Sequence, residues 1–282
     1  MTRFSKIIRS LLCLGRMALL TAALCLPHLA QAEMSPWASN EGGRMRLIAL
    51  PPEAGGKVRA ALQIEPGHGW ITYWKEPGEA GIAPQITLAP GGNLGLERIF
   101  YPVPKQIDNG PLRDIGYDGA VTLPLDLSLI DPNGPTELKT AVFIGLCKNI
   151  CIPFQADFAL ALKPAKQTPA QEAMILTMAE AMLPDAPDAS FSVASHRLSA
   201  DGRMLQLELT LPQGFASNPR ILVTGPEGHV LTLQKNGRHD GSTYSVDMPL
   251  GTLPKGYDIH GKQWGILVAA GARAIETTLA FD

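Results

Sequence analysis

The sequence predicts an all-β protein of two immunoglobulin-like β-sandwich domains joined by a short helical linker. Short apolar or alternating runs, separated by many of the 24 prolines and 28 glycines, recur along most of the 282 residues. This pattern is typical of antiparallel sandwiches. The pattern breaks at residues 168–183, where apolar side chains recur at helical spacing. It returns after Asp185 for about 98 residues, the size of one immunoglobulin-like domain.

Residues 1–32 are predicted to be a secretory signal. They contain four basic and no acidic residues, an almost wholly apolar run at 17–26, and the small-residue cleavage site Ala30-Gln31-Ala32. The apolar run is too short to cross a bilayer. We therefore expect a periplasmic protein with no membrane insertion after signal cleavage.

Charge and motifs exclude several function classes. The formal net charge is −2, and removal of the basic signal would make the chain more acidic. An acidic chain without a Lys/Arg cluster is not expected to bind nucleic acid or an anionic membrane. Nothing in the sequence matches a Gly-x-Ser-x-Gly elbow, a His-Glu-x-x-His zinc motif or a phosphate-binding glycine loop. Hydrolase and nucleotide-binding functions therefore have no support.

The first sandwich is predicted to span residues 33–165. Its apolar or alternating runs lie at residues 45–50, 58–64, 70–74, 85–88, 121–129, 138–146 and 154–162.

The linker helix is predicted within residues 166–184, between Pro164 and Pro184. Methionines 174, 178 and 182 recur at helical spacing there, and we interpret them as a packing face rather than as soft metal ligands.

The second sandwich is predicted to span residues 185–282. Its runs lie at residues 191–193, 205–211, 221–224, 230–233, 244–248, 265–269 and 275–281. It contains no cysteine, and its histidines are dispersed. A structural or docking role is the simplest interpretation of this domain.

Two cysteines, Cys147 and Cys151, remain once the predicted signal is removed, and they are separated by three residues. Strand-like runs precede and follow them, so a tight Lys-Asn-Ile connection would turn one strand back along its neighbour. The two sulfurs would then come within bridging distance. In an oxidising compartment such a pair is expected to form a disulfide.

Three interpretations of the pair stay open from the residues alone. A redox pair would undergo thiol–disulfide exchange, and Lys148 would help to stabilise a thiolate. A structural staple that closes so short a loop would contribute only about 2 kcal/mol. A metal site would use both thiolates for Cu(I), or for Zn with distant ligands such as His68.

Four segments in the same order resemble the periplasmic N-terminal domain of the DsbD thiol:disulfide interchange family, in particular its ScsB-like branch associated with copper tolerance. The resemblance covers roughly residues 40–165. The segments are HGWITYWKEPG at 68–78, YPVP at 101–104, IGYDG at 115–119 leading to LPL at 123–125, and LCKNICIP at 146–153.

The resemblance implies an immunoglobulin-like domain with a redox-active cysteine pair at the edge of a hairpin. Cys151 would be the interchange nucleophile and Cys147 the resolving cysteine. A loop covers the pair in this family, so residues 105–117 are expected to form a lid. Tyr73 and Tyr117 are candidate neighbours of the sulfurs, with the alternative that both are ordinary sandwich aromatics.

The function implied by this resemblance is that of a thiol–disulfide oxidoreductase that needs no organic cofactor. Full-length family members continue into a membrane domain and a thioredoxin-like domain, whereas the sequence here ends at Asp282. We therefore expect its partners to be a membrane thiol reductase and thioredoxin-like periplasmic proteins. The alternatives are a periplasmic copper-binding or copper-tolerance protein that uses the same cysteines, and a structural interaction module with a stapled hairpin.

Overall fold

The computed structural model describes residues 34–78, 81–109, 112–162 and 168–282. The predicted signal at residues 1–32 lies outside these ranges, as does the start of the predicted linker at residues 166–167. The described chain is dominated by antiparallel strands and contains one α-helix, α1 (Ala170–Glu180). The predicted all-β class with a helix between two sandwiches is confirmed.

The first sandwich contains two main sheets and a small one. The main sheets have the strand orders β1-β2-β3-β9-β6 and β11-β10-β5, and the small sheet has the order β4-β8-β7. The strands are β1 (Ala38–Asn40), β2 (Gly43–Ala49), β3 (Lys57–Pro66), β4 (Thr72–Tyr73), β5 (Gln85–Leu88), β6 (Leu94–Ile99), β7 (Lys105–Asn109), β8 (Leu112–Tyr117), β9 (Val121–Leu129), β10 (Thr136–Cys147) and β11 (Cys151–Leu162).

Side chains that alternate along the strands build the first core. Leu47 of β2, Leu62 of β3 and Leu123 of β9 are fully buried against Val142 and Ile144 of β10. Because successive residues of a strand point to opposite faces, one set of alternate positions supplies this core and the other set faces outward.

Helix α1 covers part of the outward face of the five-stranded sheet. Leu176 is fully buried against Ile48 and Ala61, the outward residues of β2 and β3. The prediction that the methionines form the packing face of this helix is wrong. The three methionines of the helical run are more than 60% exposed, because Leu176 and Ala179 form the buried side: Met174, Met178 and Met182.

The second sandwich has two four-stranded sheets, with the orders β12-β13-β17-β16 and β15-β14-β18-β19. The strands of this sandwich are β12 (Ser192–Leu198), β13 (Met204–Thr210), β14 (Arg220–Thr224), β15 (Val230–Leu231), β16 (Lys235–Asp240), β17 (Thr243–Pro249), β18 (Lys262–Ala270) and β19 (Arg273–Phe281).

No helix in the described part of the chain is both long and apolar enough to span a membrane.

The two sandwiches are packed against each other through one sheet of the second. In β18, Ile266 and Val268 enter the second core, whereas Leu267 between them joins the core of the first sandwich. Leu222 of β14 does the same. The chain from 33 to 282 is accordingly one compact unit, and the domain limits 33–165 and 185–282 stay a prediction.

Glycine 116 allows the small sheet to form. Gly116 of β8 lies opposite Tyr73 of β4, and a Cβ at this position would overlap the backbone oxygen of Thr72. We expect Gly116→Ala to lower the free energy of unfolding by roughly 1–3 kcal/mol, because backbone atoms cannot yield as a flexible side chain can. Urea unfolding measures this change.

The matched control is Gly119→Ala, since a Cβ there meets nothing within 4 Å. Equal stability of the two variants would contradict the close approach of β4 and β8.

Candidate functional site

Cys147 and Cys151 form the disulfide that the sequence predicts. Cys147 is the last residue of β10 and Cys151 the first of β11, and the antiparallel register places them directly opposite each other. Their Cα atoms are 4.0 Å apart. The intervening residues 148–150 form an exposed turn, in which the Lys148 amide donates to the Ile150 carbonyl oxygen at 3.1 Å.

The two cysteines differ in exposure. Cys147 is 1% exposed and packs with Ile71 and Tyr73, whereas Cys151 is exposed. Backbone hydrogen bonds between Cys147 and Ile71, of 2.8 and 3.0 Å, hold the buried cysteine from its other side. An incoming thiol therefore reaches Cys151 more easily than Cys147.

Tyr73 of β4 places its hydroxyl 3.6 Å from Cys151 Sγ. Two glycines leave space for its ring: a Cβ at Gly145 would lie 3.3 Å from one edge, and a Cβ at Gly81 would overlap the other. Thr72 fixes the strand, because its hydroxyl donates to the Gly145 carbonyl oxygen at 3.1 Å. The predicted neighbour Tyr73 is thus in contact with the pair.

Burial, and to a smaller extent the negative charge of Asp114, together raise the pKa of Tyr73 to about 12. The tyrosine hydroxyl therefore stays protonated at neutral pH. It can donate a hydrogen bond to a sulfur that gains negative charge, and it cannot act as a base.

The segment expected to form a lid, residues 105–117, contains the paired strands β7 and β8 in its described part, called here the β7–β8 hairpin. Strand β8 pairs with β4 at Thr72 and Tyr73, so the hairpin borders the site. Ile107 of β7 is partly buried against the cluster of Ile71, Tyr73 and Cys147. The hairpin covers the buried side of the disulfide.

Tyr117 and Lys148 occupy positions other than those expected for neighbours of the sulfurs. The Tyr117 ring packs in the large core, and its hydroxyl donates to the Pro102 carbonyl oxygen at 2.8 Å. The Lys148 ammonium donates to the backbone oxygen of His68 at 3.3 Å. Lys148 thus holds the cysteine turn against the chain near His68.

Sequence reasoning missed Ile71, Ile107 and Asp114. Strand alternation in β8 was the available signal for Asp114, because Ile115 and Tyr117 share the core face and Asp114 must share the opposite face. Asp114 is 2% exposed and acts on Tyr73 by its charge.

Within the described residues, no group of three or more His, Cys, Asp or Glu side chains is placed to hold a metal ion.

Comparisons with known proteins agree with the sequence resemblance. Residues 46–163 match the family model for the thiol:disulfide interchange protein DsbD, N-terminal. The chain is similar to the N-terminal periplasmic domain of ScsB from Proteus mirabilis, with 24% identity and a TM-score of 0.71 over 89% of this chain and 99% of that chain. That likeness extends the shared fold beyond the family match into the second sandwich.

Two other comparisons add nothing to the argument. The CupB2 chaperone from Pseudomonas aeruginosa aligns over 79% of this chain and 93% of that chain at 10% identity, but the TM-score of 0.22 is too low to indicate a common fold. Curated protein sequences give no significant match.

The matched segment contains the whole disulfide site, including Tyr73, the β7–β8 hairpin and both cysteines. Over residues 46–163, this protein is similar to the N-terminal domain of the thiol:disulfide interchange protein DsbD.

Proposed function

We propose that this protein carries out thiol–disulfide interchange in the periplasm through the Cys147–Cys151 pair. It accepts electrons from a membrane thiol reductase and passes them to thioredoxin-like periplasmic proteins. One observation carries the proposal: the DsbD N-terminal-like domain has a disulfide with one buried and one exposed cysteine, and a protonated tyrosine hydroxyl lies beside the exposed sulfur.

Reduction of the pair follows from this geometry. A partner thiolate attacks the accessible Cys151 Sγ, the bond between the two cysteines breaks, and Cys147 leaves as a thiolate that takes up a proton. The partner's second thiolate then attacks the partner's first sulfur, which is bonded to Cys151 Sγ, and releases the Cys151 thiolate. The partner leaves as a disulfide, and its two electrons stay on the cysteine pair.

Transfer to a client runs through the same sulfur. The Cys151 thiolate attacks the client disulfide, and one client sulfur leaves as a thiolate. Cys147 then loses its proton and attacks Cys151 Sγ, which re-forms the Cys147–Cys151 disulfide and releases the second client sulfur as a thiolate. These are the cysteine roles found in the family. The difference in exposure supports them, because the cysteine that meets partners must be accessible and the resolving cysteine need not be.

The Tyr73 hydroxyl acts whenever charge develops on Cys151. Its raised pKa keeps the proton in place, so the hydroxyl donates to the thiolate that forms or is consumed at Cys151.

The register of the hairpin argues against a purely structural staple. Strands β10 and β11 pair without interruption from Thr136 and Leu162 to the cysteines. The bridge lies at the end of this ladder and closes a loop of only about five residues, so in the chain-entropy model it contributes only about 2 kcal/mol.

Single-cysteine variants test the roles of the two sulfurs. We expect the free thiol of Cys147→Ser, which is Cys151, to react with 5,5′-dithiobis(2-nitrobenzoic acid) at least about tenfold faster than the free thiol of Cys151→Ser, because access and thiolate character govern the rate. Release of thionitrobenzoate measures it. Circular dichroism serves as the control for folding.

Equal rates, or a faster reaction in Cys151→Ser, would contradict the assignment of Cys151 as the interchange nucleophile.

Removal of the Tyr73 hydroxyl tests whether this group stabilises negative charge on Cys151 Sγ. We expect Tyr73→Phe to slow complete reduction of the disulfide by dithiothreitol about tenfold at neutral pH, because the Cys151 thiolate that is released in the second step loses a hydrogen bond. Stopped-flow or quenched thiol alkylation measures the rate.

Tyr117→Phe is the matched control, since it also loses a hydroxyl hydrogen bond, to Pro102, in the core. It should leave the rate within about twofold of the wild type. A normal rate in Tyr73→Phe would show that the hydroxyl plays no part in exchange.

A further inference from the structure

One ion pair connects the redox site to the second sandwich. The Lys75 ammonium pairs with the Glu276 carboxylate of β19, and both side chains are partly buried. Lys75 follows Tyr73 by two residues. The second sandwich thus contacts the short segment that presents Tyr73 to Cys151.

The segment from Tyr73 to Lys75 is held at each residue. Tyr73 pairs with Gly116, and the Trp74 amide donates to the Ile115 carbonyl oxygen at 3.0 Å. Trp74 is 1% exposed in the large core, and the Lys75 ammonium lies 5.0 Å from the centre of its ring. A displacement of Lys75 is therefore transmitted to Trp74 and Tyr73.

The backbone of Glu276 is held in place by contacts at strand β19. Its amide donates to the Asp185 carbonyl oxygen at 3.0 Å, and in β19 it lies opposite Leu267 of β18. Leu267 packs in the core of the first sandwich. The carboxylate that holds Lys75 therefore belongs to a rigid strand that is already attached to the first sandwich.

We propose that the second sandwich positions the redox site: the Lys75–Glu276 ion pair fixes the segment after β4 and so keeps the Tyr73 hydroxyl on Cys151. This inference rests on the interchange function proposed above. It gives the second sandwich a part in exchange, with Lys75 and Glu276 as positioning residues that act through Tyr73.

Screening by solvent limits the effect of the Lys75–Glu276 ion pair on the rate of exchange. A cleft of about 460 Å³ between the sandwiches is lined by both side chains and by Tyr101. A partly exposed ion pair of this kind contributes little to stability. Loss of the pair should change the rate of exchange about two- to fivefold.

Two single variants separate positioning from a direct effect of charge. The measurement is the rate of disulfide reduction by dithiothreitol at one neutral pH. If the charges acted directly on the sulfurs, Lys75→Met would disfavour a developing thiolate and Glu276→Gln would favour it. If the pair positions Tyr73, both variants should be slower by about two- to fivefold.

Further variants test whether restoring the ion pair restores the rate of reduction, and whether the effect of the pair requires the Tyr73 hydroxyl. Lys75→Arg, and the exchanged pair Lys75→Glu with Glu276→Lys, should restore most of the rate. In a Tyr73→Phe background, Lys75→Met should have no further effect. The matched control is Lys57→Met, which removes a similarly exposed ion pair with Asp126 inside the first sandwich, and its rate should equal that of the wild type.

Opposite changes in the two single variants, an unchanged or faster rate in either, or a further loss in the Tyr73→Phe background would each overturn the positioning role. If Tyr73→Phe alone leaves the rate unchanged, the failure lies in the proposed chemistry at Cys151 and not only in the role of the second sandwich.

Discussion

The antiparallel register of β10 and β11 is the constraint on which the rest of the site depends. It places Cys147 opposite Cys151 across a three-residue turn, so the disulfide lies at the end of a long ladder rather than inside a core. Because Ile71 and the β7–β8 hairpin cover the first cysteine and leave the second exposed, the bridge has one protected and one reactive end. This difference in exposure supports the proposed exchange, because a partner thiol has easier access to Cys151.

Strand alternation then determines what surrounds the bridge. Tyr73 of β4 faces the cysteines, and Trp74, the residue after β4, enters the core; in β8, Asp114 acts on Tyr73 and Ile115 enters the core. In β18, the same alternation sends Leu267 into the first sandwich and its neighbours into the second. The disulfide therefore lies in one of two sandwiches that share apolar contacts, and the Lys75–Glu276 pair lies where the two sandwiches meet.

The sequence predicted the fold class and the disulfide, because strand periodicity and cysteine spacing are local signals. Tyr73 was a candidate neighbour of the sulfurs only through the family resemblance. The sequence did not predict strands such as β16, whose side chains are all exposed and show no apolar alternation. The methionine face of α1 was wrong because helical spacing shows which residues share a face but not which face is buried. Tyr117 was a candidate neighbour of the sulfurs, with a role in the sandwich core as the alternative, and the alternation of β8 directs it to the core.

The reduction potential of the Cys147–Cys151 pair is the most direct test of interchange. The purified mature protein would be equilibrated against glutathione buffers, and the reduced fraction would be measured by thiol alkylation. If the pair exchanges electrons with partners, its reduction potential should lie in the range of exchange proteins, roughly −120 to −270 mV. A value more negative than about −300 mV is typical of structural disulfides and would contradict the proposed function.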